Sequence, residues 1–579
     1  MHKIRFLAVF AALVPYCAPA IAQVILPPPP EKPQVDGNGV DVQSLTPSYE
    51  RSVLSIGPKG PGGLDFSILY TGAAPRDNLY TMIAGNDNGG SATATVQIGS
   101  FAENFLAPSF PSMGDGSSFS GAAAEGYNFR QKDGTDTAFT QLFIVAPDGD
   151  FGTNGWWMAD SITRPNGVQT SFHYRSVNIG PGQQAVRIQS VTTNMGYQFK
   201  YNYASNTYDG TPGSGYFTLT SIVAINNAVE YCDPNADTCS LTGAWPQLHY
   251  LTGTSDGGVT DANGGTTYIV PSYCHTPQHV TIQTPDHTSP NYDYTLTPSP
   301  FPSPPGPCVV TSATVNGKTT NYALNFPAGG TQVVTSTGPL SQQYSYTAIS
   351  NVPGITKKVD PLGRTTTYTY DAFNRLLSVT PPEGNTTNYT YDSNGNVLQI
   401  TLHPKTGSGS TPLSESWTYG SSPCYVSPKT CNQPDTHTDP RGNVTTYSYD
   451  ANHGGVLTET DPADANGIHP VKRYAYAQRY AWIKNASGSY VQAPTPIWLR
   501  TEERTCAQTA TVGGACAGGS SDEIVTSYDY GPNSGPNNLL LRGKVVAASG
   551  TSLRTCYGYD QYGNKISETS PRAGLTSCP

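Results

Sequence analysis

Charge is what this sequence has least of: Asp, Glu, Lys and Arg make up 12% of its 579 residues, against about 25% in an ordinary globular chain. Amphipathic helices take their solvent-facing stripe largely from Glu and Lys, so a mainly helical protein is excluded. There is no Lys/Arg block beyond the leader. With a net charge of −10 and a pI near 5.4, the chain offers no electrostatic footprint for nucleic acid. No later apolar run reaches the roughly 20 residues of a membrane helix, so no integral span is expected. Catalytic signatures are missing as well. There is no Gly-x-Ser-x-Gly elbow, no His-Glu-x-x-His pair, no phosphate loop and no Gly-x-Gly-x-x-Gly, and the 10 His are scattered. The acids sit mostly in Asp-Pro, Asp-x-x-Gly and Asn-Gly contexts, where they serve turns. No enzyme activity and no cofactor are expected.

What is present is turn and strand chemistry: 60 Gly, 49 Pro, and 37 Tyr against 17 Phe. Disordered chains pair high net charge with few aromatics, and this one is 10% aromatic, so disorder is excluded too. The composition implies an all-β protein of many short strands joined by tight turns.

Residues 1–22 have the pattern of a secretory signal peptide. Lys3 and Arg5 form its positive end, Phe6 to Val14 its apolar run, and Ala20-Ile21-Ala22 a small-residue cleavage site. Residues 23–34 form a Pro-rich tether. The expected location is therefore secreted or cell-surface (periplasm, outer membrane or extracellular). Of the 11 cysteines, Cys17 lies in the leader. The others fall into close neighbours: Cys232 with Cys239, Cys274 with Cys308, Cys424 with Cys431, Cys506 with Cys516, and Cys556 with Cys578. An even count in an exported chain argues for disulfides, and the local spacing suggests that each staples a loop or hairpin, although spacing alone does not fix connectivity. A metal site built from Cys274, His275, His279, His287 and Cys308 would match no common zinc spacing.

A repeat organises the chain. The unit Tyr-x-Tyr-Asp occurs at Tyr368-Thr369-Tyr370-Asp371, Tyr389-Thr390-Tyr391-Asp392, Tyr447-Ser448-Tyr449-Asp450 and Tyr557-Gly558-Tyr559-Asp560. Degenerate copies are Tyr344-Ser345-Tyr346, Trp417-Thr418-Tyr419, Tyr474-Ala475-Tyr476 and Tyr528-Asp529-Tyr530. Two Tyr at i and i+2 share one strand face, and the small residue between them takes the other. The Asp opens a turn whose carboxylate accepts turn N–H groups. Gly395 and Gly563 then supply the left-handed position, and Asn374 substitutes for glycine in the first copy. A return strand and a second turn follow, at Asp360–Gly363, Pro381–Gly384 or Asp439–Gly442. Each repeat is thus one β-hairpin.

Three further features have a structural and a functional reading. The regular spacing of the Tyr favours a ladder in which each pair stacks on the pair of the next hairpin, with hydroxyls bonded to neighbouring strands. Rings stacking on sugar faces are the alternative. Asp36–Asp41, Asn86–Gly89 and Asp464–Gly467 are oxygen-rich turns of a kind that can hold calcium, but none has the twelfth-position Glu of an EF-hand loop. Trp156 and Trp157 are adjacent on a probable strand, so at most one ring faces the core and the other is free for a partner.

Asp360-Pro361-Leu362-Gly363-Arg364, Tyr368-Thr369-Tyr370-Asp371 and Asn374-Arg375-Leu376 together resemble the YD repeat of the Rhs (rearrangement hotspot) family. The likeness is clear from about 340 to 579. It weakens upstream, where Phe172-His173-Tyr174 and Tyr201-Asn202-Tyr203 look like eroded copies. The resemblance implies repeated hairpins forming a long coiled β-sheet or partial hollow shell, which in toxin members encloses a C-terminal effector. Here Asp360–Gly363 is followed by further repeats and is read as a turn, not a cleavage site. The array is expected to run on past Pro579 or to have its edge covered by a partner. The chain divides into an N-terminal β-rich region, 35–340, and the repeat array, 341–579. The expected function is a non-catalytic exported scaffold that encloses, presents or helps deliver a protein cargo or an effector outside this chain, in contact-dependent bacterial competition. The rival is a cell-surface carbohydrate-binding adhesin or wall-associated protein without cargo.

Overall fold

Antiparallel strands account for nearly all of the regular structure, and one short 3₁₀ turn at Pro571–Ala573 is the sole helical element among the described residues. The computed structural model describes residues 35–70, 75–87, 92–99, 101–106, 116–122, 126–143, 156–180, 183–211, 215–251, 257–269, 278–282, 292–297, 309–327, 331–349, 354–532 and 535–579. The leader and tether, the pair Cys274 and Cys308, and His275 and His287 lie outside these residues. So do Asn88 and Gly89, and the side chains of His279, Asn86, Asp87 and Trp156.

Two large sheets dominate. The first has eleven strands, from Ser118–Ala122 to Thr266–Ile269, and smaller sheets of three and five strands flank it. The second has twenty-one strands in chain order, from Gln278–Ile282 to Lys565–Glu568, and runs unbroken through residue 340. Among the described residues its excursions are two-stranded hairpins, Trp482–Lys484 with Tyr490–Gln492 and Thr511–Val512 with Ala515–Cys516.

The repeat writes the same local structure each time. In Thr365–Tyr370, Thr386–Tyr391 and Val444–Tyr449 the Tyr are half-buried, while Thr369, Thr390 and Ser448 between them are exposed. That alternation is the period-two consequence of the motif. On the exposed face, hydroxyls pair across strands: Thr369 with Ser378 at 2.7 Å and Thr418 with Thr436 at 2.6 Å. Polar Thr and Ser pairs thus solvate a surface that has little charge. A bulge falls immediately before the second Tyr of each copy, between Thr369 and Tyr370, Thr390 and Tyr391, Ser448 and Tyr449, and Gly558 and Tyr559. The extra residue sharpens the local twist and aims that Tyr back along the sheet.

In a meander, alternate turns fall on opposite rims. From Gly395 onward, the rim carrying the turns after Tyr-x-Tyr-Asp meets the N-terminal region, whereas Phe373 in the first of these turns is exposed. Lys132 Nζ donates to Gly395 O at 2.8 Å and Asn432 Nδ2 to Lys132 O at 3.0 Å. Trp498 N reaches Asn166 O, and Lys484 N reaches Asn227 O, both at 2.8 Å. Farther along, Tyr197 Oη donates to Asn537 Oδ1 at 3.0 Å, and Gly57 N to Tyr562 O at 2.8 Å. Beneath this seam lies one apolar core that runs from Val40 through Phe199 to Leu540. The turns of the opposite rim, including 361–364, 382–384, 405–412 and 440–443, are exposed.

Candidate functional site

The tyrosine face of the array is the most regular chemical feature of the molecule. In copy after copy, the second Tyr donates its hydroxyl to a carbonyl of the preceding hairpin. Tyr370 reaches Ile355 O at 3.0 Å, Tyr391 reaches Leu376 O at 2.7 Å, and Tyr449 reaches Pro434 O at 2.6 Å. Tyr559 reaches Leu541 O at 2.8 Å, and the degenerate copies at Tyr419, Tyr476 and Tyr530 make the equivalent bonds. Upstream, Tyr174 to Ala159 O and Tyr203 to Ile188 O repeat the bond in the two eroded copies. This bond explains the preference for Tyr over Phe at the second position: the ring fills the step between hairpins and the hydroxyl satisfies a strand carbonyl. The apolar side chains beneath, Ile355, Leu376, Val397 and Val456, are almost fully buried. Burial pushes the Tyr370 hydroxyl up to about 12.

Ring contacts run along a strand at Tyr344 with Tyr346, 6.3 Å apart, and Tyr447 with Tyr449, 6.4 Å apart, and across strands where Trp417 stacks on His437 at 5.0 Å. Links between hairpins come from the hydroxyls and from cations such as Arg375, 4.7 Å from the centre of the Tyr391 ring. We expect Tyr391→Phe to cost about 0.5–1.5 kcal/mol, the net worth of one hydrogen bond. Tyr391→Ala is expected to cost about 3 kcal/mol, the low end for aromatic truncation. Urea unfolding of both variants measures this, and an alanine effect within about 0.5 kcal/mol would show a ring that packs on nothing.

The Asp of each unit closes its turn. Asp392 Oδ1 accepts from the N–H groups of Asn394 and Asn396 at 2.9 and 2.7 Å, and Asp560 Oδ1 from Tyr562 and Asn564, both at 2.9 Å. Gly395 and Gly563 have φ of 75° and 86°, and Asn374 takes 65° in their place. At Asp371, burial opposes ionisation, but the Arg375 and Phe373 N–H groups and the Arg375 guanidinium outweigh it and hold the carboxyl below its usual range. In the Asp450 copy the turn is one residue longer, Gly454 N donates to Asp450 O at 2.8 Å, and His453 occupies the extra position.

The oxygen-rich turns also spend their oxygens locally. Asp36 Oδ1 accepts from Asn38 N and Val40 N, and Oδ2 from the Tyr322 hydroxyl at 2.6 Å. Asp464 Oδ1 accepts from Asn466 N and Ile468 N. Four cysteine pairs are bridged, Cys232–Cys239, Cys424–Cys431, Cys506–Cys516 and Cys556–Cys578, with Cα atoms 5.1 to 5.5 Å apart. Such bonds persist in oxidising compartments. Among the described residues no helix is long and apolar enough to cross a membrane. Trp157 packs on the core, edge-on to Tyr127 at 5.1 Å.

At the start of the array lies a cavity of about 390 Å³ lined by Asp36, Asn38, Pro339, Gln342, Tyr344, Tyr346 and Lys358. The first degenerate Tyr pair forms its aromatic wall, and Lys358 Nζ lies 5.5 and 5.8 Å from the two ring centres. Sequence spacing locates the Tyr pair but not the cavity, because Asp36 arrives from the far end of the chain. Other perturbed groups have no motif at all. Asp77, desolvated beside Leu79, is pushed up to about 6 by burial. Arg187 and Lys200 are each 1% exposed.

His453 is 2% exposed, between Tyr476 and Trp498 with ring centres 4.6 Å away on each side. Its Nδ1 accepts from Gly455 N at 3.1 Å, and Nε2 lies 3.5 Å from Asp450 Oδ1. Burial lowers its pKa, with Asp450 opposing and Lys429 reinforcing the shift. His173, also desolvated, is lowered too. For these two histidines a lowered folded pKa means that the unfolded chain binds protons first, so their contribution to stability is complete above about 6.5 and falls as pH drops below it, whereas the raised pKa of Asp77 acts in the opposite sense. Urea midpoints from pH 7.5 to 5 should decline, and His453→Gln should flatten part of the slope. A pH dependence identical in the parent and His453→Gln would refute this.

Residues 354–386 and 370–406 match the family model described as RHS Repeat. No curated protein matches the chain. Among solved structures, the chain is similar to "Crystal Structure of TcdB2-TccC3", with 12% identity and a TM-score of 0.30 over 88% of this chain and 29% of that one. It is also similar to the same complex without its hypervariable C-terminal region, at 12% identity and a TM-score of 0.29 over 89% and 28%. For the Photorhabdus luminescens Tc holotoxin pore the figures are 9% identity and a TM-score of 0.23 over 93% and 37%. The chain thus spans less than a third of the length of the first two.

Proposed function

Because the chain carries Rhs repeats, we propose that it is an exported, non-catalytic scaffold whose tyrosine face and uncovered rim enclose or present a protein cargo. One observation carries the reading: the N-terminal region packs on one rim of the twenty-one-stranded sheet, while the turns at 361–364, 382–384, 405–412 and 440–443 on the other rim face solvent. Half-buried rings offer apolar surface with a wet edge, the character of protein-contact surfaces. The carboxylates of the repeat turns are engaged by backbone N–H groups, which leaves them poorly placed for proton transfer. Native mass spectrometry of the full chain isolated from its own host, after mild crosslinking, tests the proposal. A bound polypeptide lost on combined Tyr368→Ala and Tyr389→Ala substitution is the expected result, and a bare chain under the same crosslinking would defeat it. Retained hydrolytic activity that disappears in Asp77→Asn would defeat the non-catalytic part.

The cavity at Tyr344 and Tyr346 favours a second reading, carbohydrate binding. Stacked rings beside Asp36, Gln342 and Lys358 supply the faces and hydrogen-bonding groups that a sugar needs. Glycan-array binding abolished by Tyr344→Ala would support the adhesin, and array-wide absence of binding would remove it.

A further inference from the structure

The loop closed by Cys232–Cys239 lies over the most heavily desolvated cations of the molecule. Lys200 Nζ and Gln189 Nε2 both donate to its Ala236 O, the latter at 2.6 Å, and Ser190 Oγ donates to its Pro234 O at 2.8 Å. Its Asp237 pairs with Arg175 and lies 3.8 Å from Arg187. The loop has no strand of its own between Cys232 and Cys239. Its hold on the sheet is therefore made of oxygen atoms presented to buried donors, closed at its ends by the disulfide.

Beneath the loop Arg187 is fixed independently of it. The Arg187 guanidinium sits 4.2 Å from the Tyr203 ring centre and 4.1 Å from that of Tyr216. It also donates to Ser205 O, Tyr216 O and Asn206 Oδ1 at 2.7 to 2.8 Å. Two buried polar atoms in the same cluster, Arg187 Nε and Gln189 Oε1, have no partner. Burial holds the Lys200 amine down at about 8, with Asp237 and Asp233 of the loop opposing and Arg187 and Arg175 reinforcing the shift. The site is therefore electropositive, and the loop supplies its counter-charge.

We propose that the Cys232–Cys239 loop is a redox-sensitive lid on a latent oxyanion site formed by Arg175, Arg187, Gln189, Ser190 and Lys200. With the lid shut, the carbonyls of Pro234 and Ala236 and the carboxylate of Asp237 occupy the places that ligand oxygens would take. A dithiol opens it by ordinary exchange: its thiolate attacks the Cys239 sulfur, Cys232 leaves as thiolate, and the second thiol completes two cysteine thiols and one oxidised dithiol. The half-exposed Cys239 is the accessible sulfur, whereas Cys232 is 1% exposed. Once the loop swings away, Lys200, Gln189 and Ser190 lose their carbonyl acceptors and Arg175 its carboxylate partner together, while Arg187 stays in place beside them on its own acceptors. A phosphate-like oxyanion, which accepts several charge-assisted hydrogen bonds, replaces them.

The test uses the full chain and its Cys239→Ser variant, with lysine labelling by an acetylating reagent mapped by mass spectrometry and inorganic phosphate as the probe ligand. Lys200 should label about tenfold faster in the variant, equivalent to about 1.4 kcal/mol of lost protection. Phosphate should slow that labelling in the variant and leave the parent unchanged. Equal labelling of the two proteins would overturn the lid, and faster labelling with no phosphate protection would overturn the oxyanion site. Should the variant fail to fold, hydrogen exchange across Gln189–Lys200 in the parent, before and after dithiothreitol, gives the same decision. Exchange unchanged by reduction of Cys232–Cys239 would overturn the proposal.

Discussion

Tyr197→Ala is expected to lower the unfolding free energy by about 3 to 5 kcal/mol, the range for truncating a fully buried aromatic side chain. The ring is 1% exposed and sits in the seam between the N-terminal region and the last repeat. Two glycines make room for it. A Cβ on Gly57 would meet the ring at 2.6 Å, and one on Gly563 would meet the hydroxyl at 2.6 Å. The hydroxyl donates to Asn537 Oδ1, which also accepts from Asn226 Nδ2 at 3.1 Å, while Asn537 Nδ2 donates to Asp560 O at 2.8 Å. Alanine would therefore leave a cavity and break a network that ties residues far apart in sequence. Hydrogen exchange should rise at 535–540 and 560–563 together. Tyr197→Phe, which keeps the ring, should cost about 1 kcal/mol. A denaturation midpoint unchanged by alanine would mean that the seam does not bear on stability.

The second large effect is expected at Arg187. Removing one member of a buried charged network costs about 3 to 5 kcal/mol, because the partners stay buried and unpaired. Arg187→Ala strips the acceptors Ser205 O, Tyr216 O and Asn206 Oδ1 of their donor and vacates the space between the Tyr203 and Tyr216 rings. Arg187→Lys should recover only part of the loss, since an ammonium lacks the planar fork that serves these acceptors at once. Urea unfolding of the three proteins measures both steps. A lysine variant as stable as the parent would show that charge alone matters there.

The hairpin repeat is legible in the sequence because every part of it is local. Tyr at i and i+2 share a face by strand geometry, Asp392 and Gly395 close a turn three residues apart, and Cys232 and Cys239 bridge within one loop. Trp157 could be placed on a strand by its neighbours in sequence, but its contact with Tyr127 could not. The hydroxyl of Tyr391 was expected to find a strand, and which carbonyl it reaches follows from the bulge at Thr390, which no residue type announces. Nothing in the sequence singles out His453. It acquires a lowered pKa only because Tyr476 and Trp498 close over it.

By itself, then, the sequence determined the all-β class, the repeated hairpin and the turn chemistry, since each is decided within about 30 residues by backbone sterics and side-chain alternation. Tertiary structure alone decided which rim of the long sheet is covered, where Asp36 meets Tyr322, and that Lys200 and Arg187 lie buried beneath a disulfide-closed loop. Those outcomes depend on burial and on contacts between residues up to hundreds of positions apart. Desolvation and docking are properties of the assembled surface, and no local pattern encodes them.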